Sequence, residues 1–372
     1  MPKSSEHDTV YKCEPHSIMK HKILESYLTP WFHILSKYNP VVQYVDCFAG
    51  AGEYDDSKTT GSPIIALKCL NEHKLKDEMF LRSSFNFVFI EKEADRAAAL
   101  QKTVDSMSLH KRITVGVIND TFENEMEKLY GTEDSPKHTN LAPTFAFIDP
   151  FGYSQIPMRY VRRILETPKC EVLVNVMVDF AKRFSFSGMQ DTALDRLFGC
   201  HDWAGVLDIP EDRKEERNEF LMNLYIRELT KNLDKGFKFT LQFKMINKMG
   251  RESYRLLFAT KNALGFELMK ESMYKADERG SYTFDDRLAG ISYLVNYMEE
   301  KIWVEDAANN LSKTFKGKII LGKSLKKHII EETGWIYRAS ILKRLEEKGH
   351  IQIDGRQRRN TYPDDCKIKF IG

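Results

Sequence analysis

Cysteine is scarce in this sequence, with six residues in 372. None forms a CxxC pair, and none joins histidines in a cluster with the spacing of metal ligands. Several lie in apolar runs, where cysteine behaves as a small hydrophobic residue. We therefore predict a chain whose cysteines are reduced and which holds neither a structural zinc nor another metal.

Long hydrophobic runs are also missing. No apolar stretch approaches the length of about 20 residues that crosses a membrane, and the N-terminal MPKSSEHDTVYK lacks the apolar core of an export signal. These absences predict a cytoplasmic protein with no membrane partner. The composition, 42% hydrophobic and 30% charged, is typical of a globular chain. A chain of 372 residues is longer than a single hydrophobic core usually supports, so two domains are favoured.

A strong overall charge is absent as well, because the formal net charge is only +2. The charge is nevertheless unevenly placed. Residues 301–372 contain 16 lysines and arginines against 9 acidic residues, whereas residues 1–300 have a small acidic excess. This asymmetry indicates that the C-terminal part faces an anionic partner, and a solvated basic surface is the alternative.

Strand and helix patterns alternate through most of the chain. Apolar runs that end in polar residues begin near positions 41, 85, 112, 145 and 171, and helical periodicity separates them. Two further strand patterns flank the turn NKMGRE and predict a hairpin. The alternation predicts an α/β fold whose mostly parallel sheet has an antiparallel edge strand and is covered on both faces. We assign a helical extension to 1–40, the α/β domain to 41–285, and a linker helix with a second domain to 286–372.

The C-terminal domain follows a different pattern. After an amphipathic helix come a short strand, two helices separated by Thr333-Gly334, and two strands around the turn GRQRR. This order of helix, turn, helix and wing predicts a winged helix. A winged helix that contacts protein is the alternative, since a fold does not determine a function. The residues expected to bind nucleic-acid phosphates are Lys343, Arg344, Arg356, Arg358 and Arg359.

Polar residues follow the predicted strands at the edge where an open parallel sheet binds its ligand. Glycines after the first strand let a ligand approach the backbone. An acid after the second strand suits ribose hydroxyls, and polar residues after the third suit an adenine amino group or a nearby hydroxyl. The residues expected to bind the cofactor at these ends are Asp46, Phe48, Gly50, Gly52, Glu91, Asn119 and Asp120.

The glycine loop restricts the kind of cofactor. DCFAGAGEYD contains Gly50 and Gly52, but Asp55 holds the place of the third glycine of a dinucleotide fingerprint. The chain also lacks the GxxxxGK[ST] pattern of a phosphate-binding loop. S-adenosylmethionine has no phosphates and needs no such cradle, so it matches an acid followed by a short glycine loop better. A plain strand-to-helix turn is the alternative for the loop by itself.

Several stretches together resemble the three-Cys-motif partner protein family. They are KHKILESYLTPWFHIL, YVDCFAGAGEY, GSPIIAL, FIDPFGY, VLVNVM and YRLLFATKNALGFELMKESM, in order over residues 16–290. The resemblance implies a Rossmann-like class I methyltransferase fold. It also implies a relationship with a partner protein that contains a three-cysteine motif.

Two families of nucleobase methyltransferases share parts of this pattern. The step Asp149–Gly152 resembles a motif of tRNA guanine dimethyltransferases, and KH, DCFAGAG and DP are similar to motifs of ribosomal RNA adenine methyltransferases, which have Asp-Pro-Pro-Tyr. Here Phe151 replaces the second proline and Gly152 replaces the aromatic residue. The resemblance implies methylation of an exocyclic amino group, with Lys20 and His21 near the cofactor. A helix-surface pair without a ligand is the alternative for these two residues.

The Asp-Pro-aromatic step has a chemical rationale of its own. An amino nitrogen conjugated to a base is a poor nucleophile because its lone pair is delocalised into the ring. A carboxylate and a backbone carbonyl that accept its hydrogens favour the pyramidal nitrogen that attacks a methyl sulfonium. We assign these roles to Asp149 and Pro150, with Phe151 packing on a flipped base beside the permissive backbone of Gly152. An ordinary turn is the alternative.

The sequence thus predicts a methyltransferase that uses S-adenosylmethionine to modify a nucleobase in RNA or DNA. A catalytically inactive binding module for a partner protein or nucleic acid is one alternative, and methylation of protein or a small molecule is another. The space beyond Asp149 discriminates the first two, because an enzyme needs an open cavity there and a module does not. Asn175 either faces the substrate or is a satisfied buried amide.

Overall fold

The computed structural model describes residues 15–54, 59–132, 134–150, 156–177, 191–231, 233, 239–277, 282–285 and 294–371. The chain divides into two compact units. The first comprises residues 1–272 and 284–287, and the second comprises residues 273–283 and 288–372. The N-terminal helix packs within the first unit, against its first strand and two of its helices.

The first unit is built on one sheet of eight strands. Its strands are rich in valine, isoleucine and phenylalanine, which pack well on a pleated surface. In chain order they are β1 (Val41–Asp46), β2 (Ser84–Ile90), β3 (Ile113–Ile118), β4 (Thr144–Ile148), β5 (Glu171–Val176), β6 (Phe239–Ile246), β7 (Glu252–Thr260) and β8 (Thr283–Asp285).

The strands lie in the order β3-β2-β1-β4-β5-β7-β6-β8. All neighbours from β3 to β5 are parallel, as the alternating pattern predicts. From β1 the chain adds strands toward β3 on one side, and from β4 it adds β5 on the other side. The loops after β1 and β4 therefore separate and leave a crevice between them. This Rossmann-like α/β sheet therefore has its ligand position where the predicted polar strand ends meet.

The hairpin differs from the prediction in one respect. The antiparallel strand is β7, and it lies between β5 and β6 instead of at the edge of the sheet. The reason is burial. Seven consecutive residues of β7 are buried, whereas more than half of the residues of β6 are only partly buried. A continuously apolar strand is stable only when both its faces are covered.

Helices cover the sheet. Most follow a strand directly, as crossover connections require. In the first unit they are α1 (Pro15–Ser36), α2 (Ser62–Asn71), α3 (Lys76–Arg82), α4 (Ala94–Ser106), α5 (Phe122–Tyr130), α6 (Met158–Glu166), α7 (Asp191–Phe198), a 3-10 helix (Asp202–Asp208), α8 (Lys214–Thr230) and most of α9 (Ala263–Ala276). One hydrophobic cluster joins α5, α6, α7 and α8 to the sheet.

Helix α1 lies along one face of the sheet over a layer of aromatic rings. The helix is continuous through Pro30. Tyr27 packs on Phe145 and Phe258, and Phe32 packs on Phe85, at ring separations of 5.2 to 5.8 Å. Such contacts bury large apolar areas and fix the helix on the strands.

A buried carboxylate sets the position of α1 along the sheet. Glu171, the first residue of β5, accepts hydrogen bonds from Tyr27 Oη (2.6 Å), Trp31 Nε1 (2.8 Å) and Thr260 Oγ1 (2.6 Å). Burial raises the pKa of this carboxyl, and the three donors oppose that shift. Because β5 begins at the edge opposite the crevice, this network holds the C-terminal half of α1 there and leaves its first turns beside the crevice.

The second unit contains α10 (Leu294–Thr314), β9 (Ile319–Leu321), α11 (Gly322–Glu332), α12 (Ala339–Glu347), β10 (Ile351–Asp354) and β11 (Lys367–Phe370). The three strands form an antiparallel sheet in the order β10-β11-β9. A core of its own, including Leu311, Ile329, Leu342 and Ile368, joins the helices to this sheet.

No helix in the described part of the chain is both long and apolar enough to cross a membrane.

Candidate functional site

A cavity of about 560 Å³ lies at the carboxyl ends of β1 and β4. Its wall is formed by helix α1, the loop after β1 and the starts of α2 and α4, together with the ends of β4 and β5 and the start of β7. The lining residues are His16, Ser17, Lys20, His21, Phe48, Ala49, Gly50, Ala51, Gly52, Glu53, Tyr54, Gly61, Ser62, Arg96, Asp149, Pro150, Asn175, Met177 and Tyr254.

The glycine loop is fixed by backbone hydrogen bonds to both neighbouring strands. Cys47 N–H donates to the Phe147 carbonyl and Ala49 N–H to the Ile90 carbonyl, each at 2.9 Å. Gly50 N–H donates to Glu91 Oε2 at 2.8 Å. A loop held in this way presents a defined backbone surface to a ligand.

Two glycines in this loop have conformations that other residues rarely adopt. Gly50 has φ +64° and Gly52 has φ +79°, values in the left-handed region. A Cβ on Gly52 would lie 2.7 Å from Leu100 Cδ1, whereas a Cβ on Gly50 would meet nothing within 4 Å. Gly52 therefore packs closely against the protein, and the open space beside Gly50 belongs to the cavity.

Asp149 is held by two side chains that come from separate elements. Lys20 Nζ on α1 donates to Asp149 Oδ2 at 2.5 Å, and Asn175 Nδ2 on β5 donates to Asp149 Oδ1 at 2.6 Å. The side chain of Lys20 is 9% exposed and that of Asp149 is 20% exposed. A partly buried, charge-assisted pair of this kind fixes the direction of the carboxylate within the cavity.

Aromatic rings surround the same pair. Lys20 Nζ lies 5.3 Å from the centre of the Tyr254 ring, and His16 contacts that ring edge-on at 5.7 Å. The His21 ring lies 5.7 Å from Tyr54. Burial, with a contribution from Lys20, lowers the pKa of His21 to about 4. His21 is therefore neutral near pH 7, whereas Lys20 pairs with the carboxylate of Asp149.

Asp46 lies beneath the loop and does not line the cavity. It accepts hydrogen bonds from Phe48 N–H and Tyr44 Oη, each at 3.3 Å, and another from Ser62. Burial raises the pKa of Asp46 to about 7, and the charge of Asp149 adds to the shift. Its contacts support the loop from below.

This raised pKa makes the stability of the protein depend on pH. The folded state retains the Asp46 proton that the unfolded chain loses near pH 3.8, so Asp46 contributes stability that is complete below that pH and is lost as pH rises to about 7. His21 acts in the opposite sense below pH 6.5. We expect the difference in unfolding free energy, wild type minus Asp46→Asn, to fall by about 1 to 4 kcal/mol between pH 4 and 7.

Urea denaturation of both proteins at several pH values measures this difference, and the contribution of His21 cancels because both proteins contain it. A difference that stays constant or grows with pH would show that Asp46 is ionised throughout.

Besides Asp46, three residues predicted to bind the cofactor lie outside the cavity wall. Glu91 is 4% exposed and accepts from the N–H groups of Gly50 and Glu93. Asn119 Nδ2 donates to the carbonyls of Glu91 and Lys92. These bonds join the loops after β1, β2 and β3 to one another.

Asp120 is the third. Its Oδ2 accepts from Lys128 Nζ and its Oδ1 from Asn124 Nδ2, each at 2.7 Å, at the start of α5. These hydrogen bonds strongly lower the pKa of Asp120. The carboxylate is thus occupied by side chains of the following helix, Asn124 near its start and Lys128 in its last turn.

The structure brings together seven of the predicted residues at one cavity, namely Lys20, His21, Phe48, Gly50, Gly52, Asp149 and Pro150. Phe151 and Gly152 lie outside the described residues. Sequence reasoning missed Tyr254, Arg96 and His16. Tyr254 is placed by the antiparallel insertion of β7, which no local pattern specifies.

A second group of functional candidates lies in the C-terminal unit. Arg344 pairs with Glu305 at 2.5 Å, Arg356 pairs with Glu346, and Lys343 lies 3.9 Å from Glu347. Arg358 and Arg359 are exposed. The five predicted basic residues thus differ in how far intramolecular acids neutralise them.

One cluster in the described chain contains three groups of the kind that bind metals, Cys200, Asp202 and Glu228. Arg227 lies 2.5 Å from Asp202 and 3.0 Å from Glu228, and Lys231 lies 3.1 Å from Glu228. Burial raises the pKa of the Cys200 thiol, which disfavours the thiolate that binds metals. Arg227, Lys231 and also Arg162, which lies 3.7 Å from Glu228, already compensate these carboxylates.

No protein-family model matches the chain, and no curated protein matches its sequence. Several solved structures share features of its architecture. Trm1 from Pyrococcus horikoshii, solved with S-adenosyl-L-methionine, is 12% identical with a TM-score of 0.39, over 98% of this chain and 93% of that one. Human methyltransferase-like protein 13, solved with S-adenosylhomocysteine, is 12% identical with a TM-score of 0.33, over 71% of this chain and 92% of that one.

A SAM-dependent methyltransferase from Methanosarcina mazei is 10% identical with a TM-score of 0.29, over 62% of this chain and 97% of that one. At such identities and TM-scores, these similarities decide nothing about the chemistry of this chain. Its class is defined by its own strand order, a Rossmann-like α/β sheet with a ligand cavity at the reversal between β1 and β4.

Proposed function

We propose that this protein is an S-adenosylmethionine-dependent methyltransferase that modifies an exocyclic amino group of a nucleobase in RNA or DNA. The observation that supports it best is the shared cavity of the glycine loop and Asp149, whose carboxylate is held by Lys20 and Asn175. The resemblance to the three-Cys-motif partner family agrees with this function, and a partner protein stays a prediction from that resemblance.

The cavity fits the cofactor in size and in chemistry. Its volume of about 560 Å³ is within the range of small-molecule sites. The positive φ of Gly50 and the open space beside it let a ligand approach the backbone. The loop between Phe48 and Gly52 would hold S-adenosylmethionine, which supplies an electrophilic methyl group when bound.

Asp149 is suited to orient the amino group that receives the methyl. Its two oxygens each accept one hydrogen bond from the protein, and each keeps a further lone pair for a substrate N–H. Lys20 and Asn175 prevent rotation of the carboxylate, so it needs little reorganisation when the substrate binds. The Pro150 carbonyl, at the same cavity, would accept the second hydrogen.

An enzyme explains this arrangement better than a binding module does. No side chain among the described residues fills the space beyond Asp149, since Asp149 and Pro150 border the open cavity. The carboxylate of Asp149 also lies in this cavity with part of its surface exposed. A module that used only the outer surface of the fold would gain nothing from either feature.

Gly50 offers a direct test of the cofactor position. We expect Gly50→Ala to lower the affinity for S-adenosylhomocysteine at least about tenfold, because the new methyl group enters the cavity and the left-handed φ is strained at a cost of about 1 kcal/mol. Isothermal titration calorimetry measures the affinity.

Gly317→Ala is the matched control. Gly317 also has a left-handed φ, +73°, and a Cβ there would meet nothing within 4 Å, but it lies in the second unit. The control therefore reproduces the strain without the cavity. Equal affinities in wild type and Gly50→Ala would place the cofactor elsewhere, and absence of binding to the wild type would contradict the proposal.

We assign the C-terminal unit to nucleic-acid binding as a winged helix. The order α11, α12, β10 and β11, with β9 completing the sheet, supports this assignment. Helix α12 occupies the position of the recognition helix, and the segment with Arg358 and Arg359 between β10 and β11 corresponds to the wing. An excess of basic residues in this region agrees with a polyanionic partner.

The two exposed arginines should contribute more than the paired ones. We expect Arg358→Ala with Arg359→Ala to weaken binding to total RNA or to duplex DNA and to reduce the salt slope by about 2. Arg356→Ala should have a smaller effect, because its guanidinium is bound to Glu346. Fluorescence anisotropy at several salt concentrations measures both, and an unchanged slope in the double variant would exclude the wing.

A further inference from the structure

Two buried polar atoms at the cavity have no hydrogen-bond partner among the residues that the structure describes. They are Asn175 Oδ1 and the Tyr254 hydroxyl, and both residues line the cavity. Asn175 is 3% exposed and Tyr254 is 7% exposed. An unsatisfied buried polar atom destabilises the folded state, so two of them at one cavity call for a ligand that satisfies them.

The sheet brings these two residues together. Asn175 on β5 is paired with Leu256 on β7. Side chains two residues apart on a strand lie on the same face, so Tyr254 and Asn175 are diagonal neighbours, about 7–8 Å apart between Cα atoms. This separation lets an amide and a phenol contact adjacent polar atoms of one planar ring.

Asp149 connects both residues to the proposed reaction. Asn175 Nδ2 lies 2.6 Å from Asp149 Oδ1, and Lys20 Nζ lies 2.5 Å from Asp149 Oδ2. The same Lys20 Nζ is 5.3 Å from the centre of the Tyr254 ring. The two unpartnered atoms thus lie on the side of the cavity assigned to the substrate.

We propose that Asn175 and Tyr254 recognise the polar edge of the target base. Asn175 Oδ1 shares with Asp149 the one amino hydrogen that the Pro150 carbonyl does not accept, and the Tyr254 hydroxyl donates to the ring nitrogen beside it. The ligand class is an aminopurine or aminopyrimidine. Surrounding atoms shield both groups from water. A side chain of the cavity wall must therefore rotate before the base can contact them. This inference rests on the proposed function.

Binding of nucleosides in the presence of S-adenosylhomocysteine tests the inference without methyl transfer. Three pairs differ only in the amino group: adenosine with purine riboside, guanosine with inosine, and cytidine with 2-pyrimidinone riboside. We expect the wild type to bind the amino member of one pair about tenfold more tightly. Saturation-transfer NMR, with competition to obtain dissociation constants, measures the preference.

Variants separate the two contacts. Asn175→Ala should reduce the preference for the amino member, and Tyr254→Phe should weaken the binding of that member about tenfold. Tyr225→Phe is the matched control, since Tyr225 on α8 also has a buried hydroxyl with no partner in the described part of the chain but does not line the cavity. It should bind like the wild type.

Three results would overturn the inference: no preference in any pair, variants that bind like Tyr225→Phe, or loss of S-adenosylhomocysteine binding in Asn175→Ala, which would assign that residue to the cofactor. Failure of the proposed function gives a different result, in which the wild type shows the nucleoside preference but transfers no methyl group to RNA or DNA.

Discussion

Asp149→Asn should reduce methyl transfer by about 10²–10³-fold while the affinity for S-adenosylhomocysteine stays within a factor of about two. The substitution retains the size of the side chain but removes its charge. The amide nitrogen must then face either Lys20 or Asn175, both of which donate to the carboxylate in the wild type. The remaining oxygen is a weaker acceptor for the amino group, so the effect falls on the transfer rate.

Asp195→Asn is a matched control for this variant. Asp195 Oδ1 accepts from Trp203 Nε1 at 2.6 Å and interacts with His201 Nδ1 at 2.9 Å, and it does not line the cavity. Its loss should leave transfer unchanged. If Asp149→Asn loses S-adenosylhomocysteine binding together with transfer, Asp149 serves the cofactor, and if transfer is unaffected the assigned mechanism is wrong.

Glu171→Leu should destabilise the first unit by at least about 3 kcal/mol. The substitution leaves the Tyr27 hydroxyl, Trp31 Nε1 and the Thr260 hydroxyl buried without their acceptor. The substitution also removes a carboxylate that burial destabilises, and this offsets part of the loss of stability. Urea denaturation followed by circular dichroism measures the change.

Glu216→Leu is the control for this effect. Glu216 forms an exposed ion pair with Arg213, and such pairs contribute about 0–1 kcal/mol. A Glu171→Leu protein as stable as the control would show that α1 is held by its aromatic packing alone. A large loss would show that the Glu171 network also holds α1 on the sheet.

Most of the α/β architecture was predictable because its signals are local. The strand starting at Val41 and the one ending at Ile148 are short apolar runs with polar ends. The parallel order then follows from right-handed crossovers. The glycine loop was equally visible, since Gly50 and Gly52 have the positive φ that only glycine adopts easily.

What the sequence did not predict depends on contacts between distant segments. The position of β7 inside the sheet follows from burial on both faces, and it determines where Tyr254 lies. The pair of Lys20 and Asp149 joins residues 129 positions apart. Glu91 and Asp120 matched a ligand-binding pattern, yet their carboxylates bind the protein's own backbone and side chains. Composition cannot distinguish an acid that binds a ligand from one that stabilises a loop.

Nucleoside mass spectrometry after incubation with methyl-labelled S-adenosylmethionine tests the central claim most directly. The wild type and Asp149→Asn are incubated with total RNA and, separately, with genomic DNA from cells in which the gene is deleted. We predict that label appears on the exocyclic nitrogen of one nucleoside with the wild type and is lost with the variant. Label that appears only on carbon, on oxygen or on protein, or no label with a wild type that binds the cofactor, would contradict it.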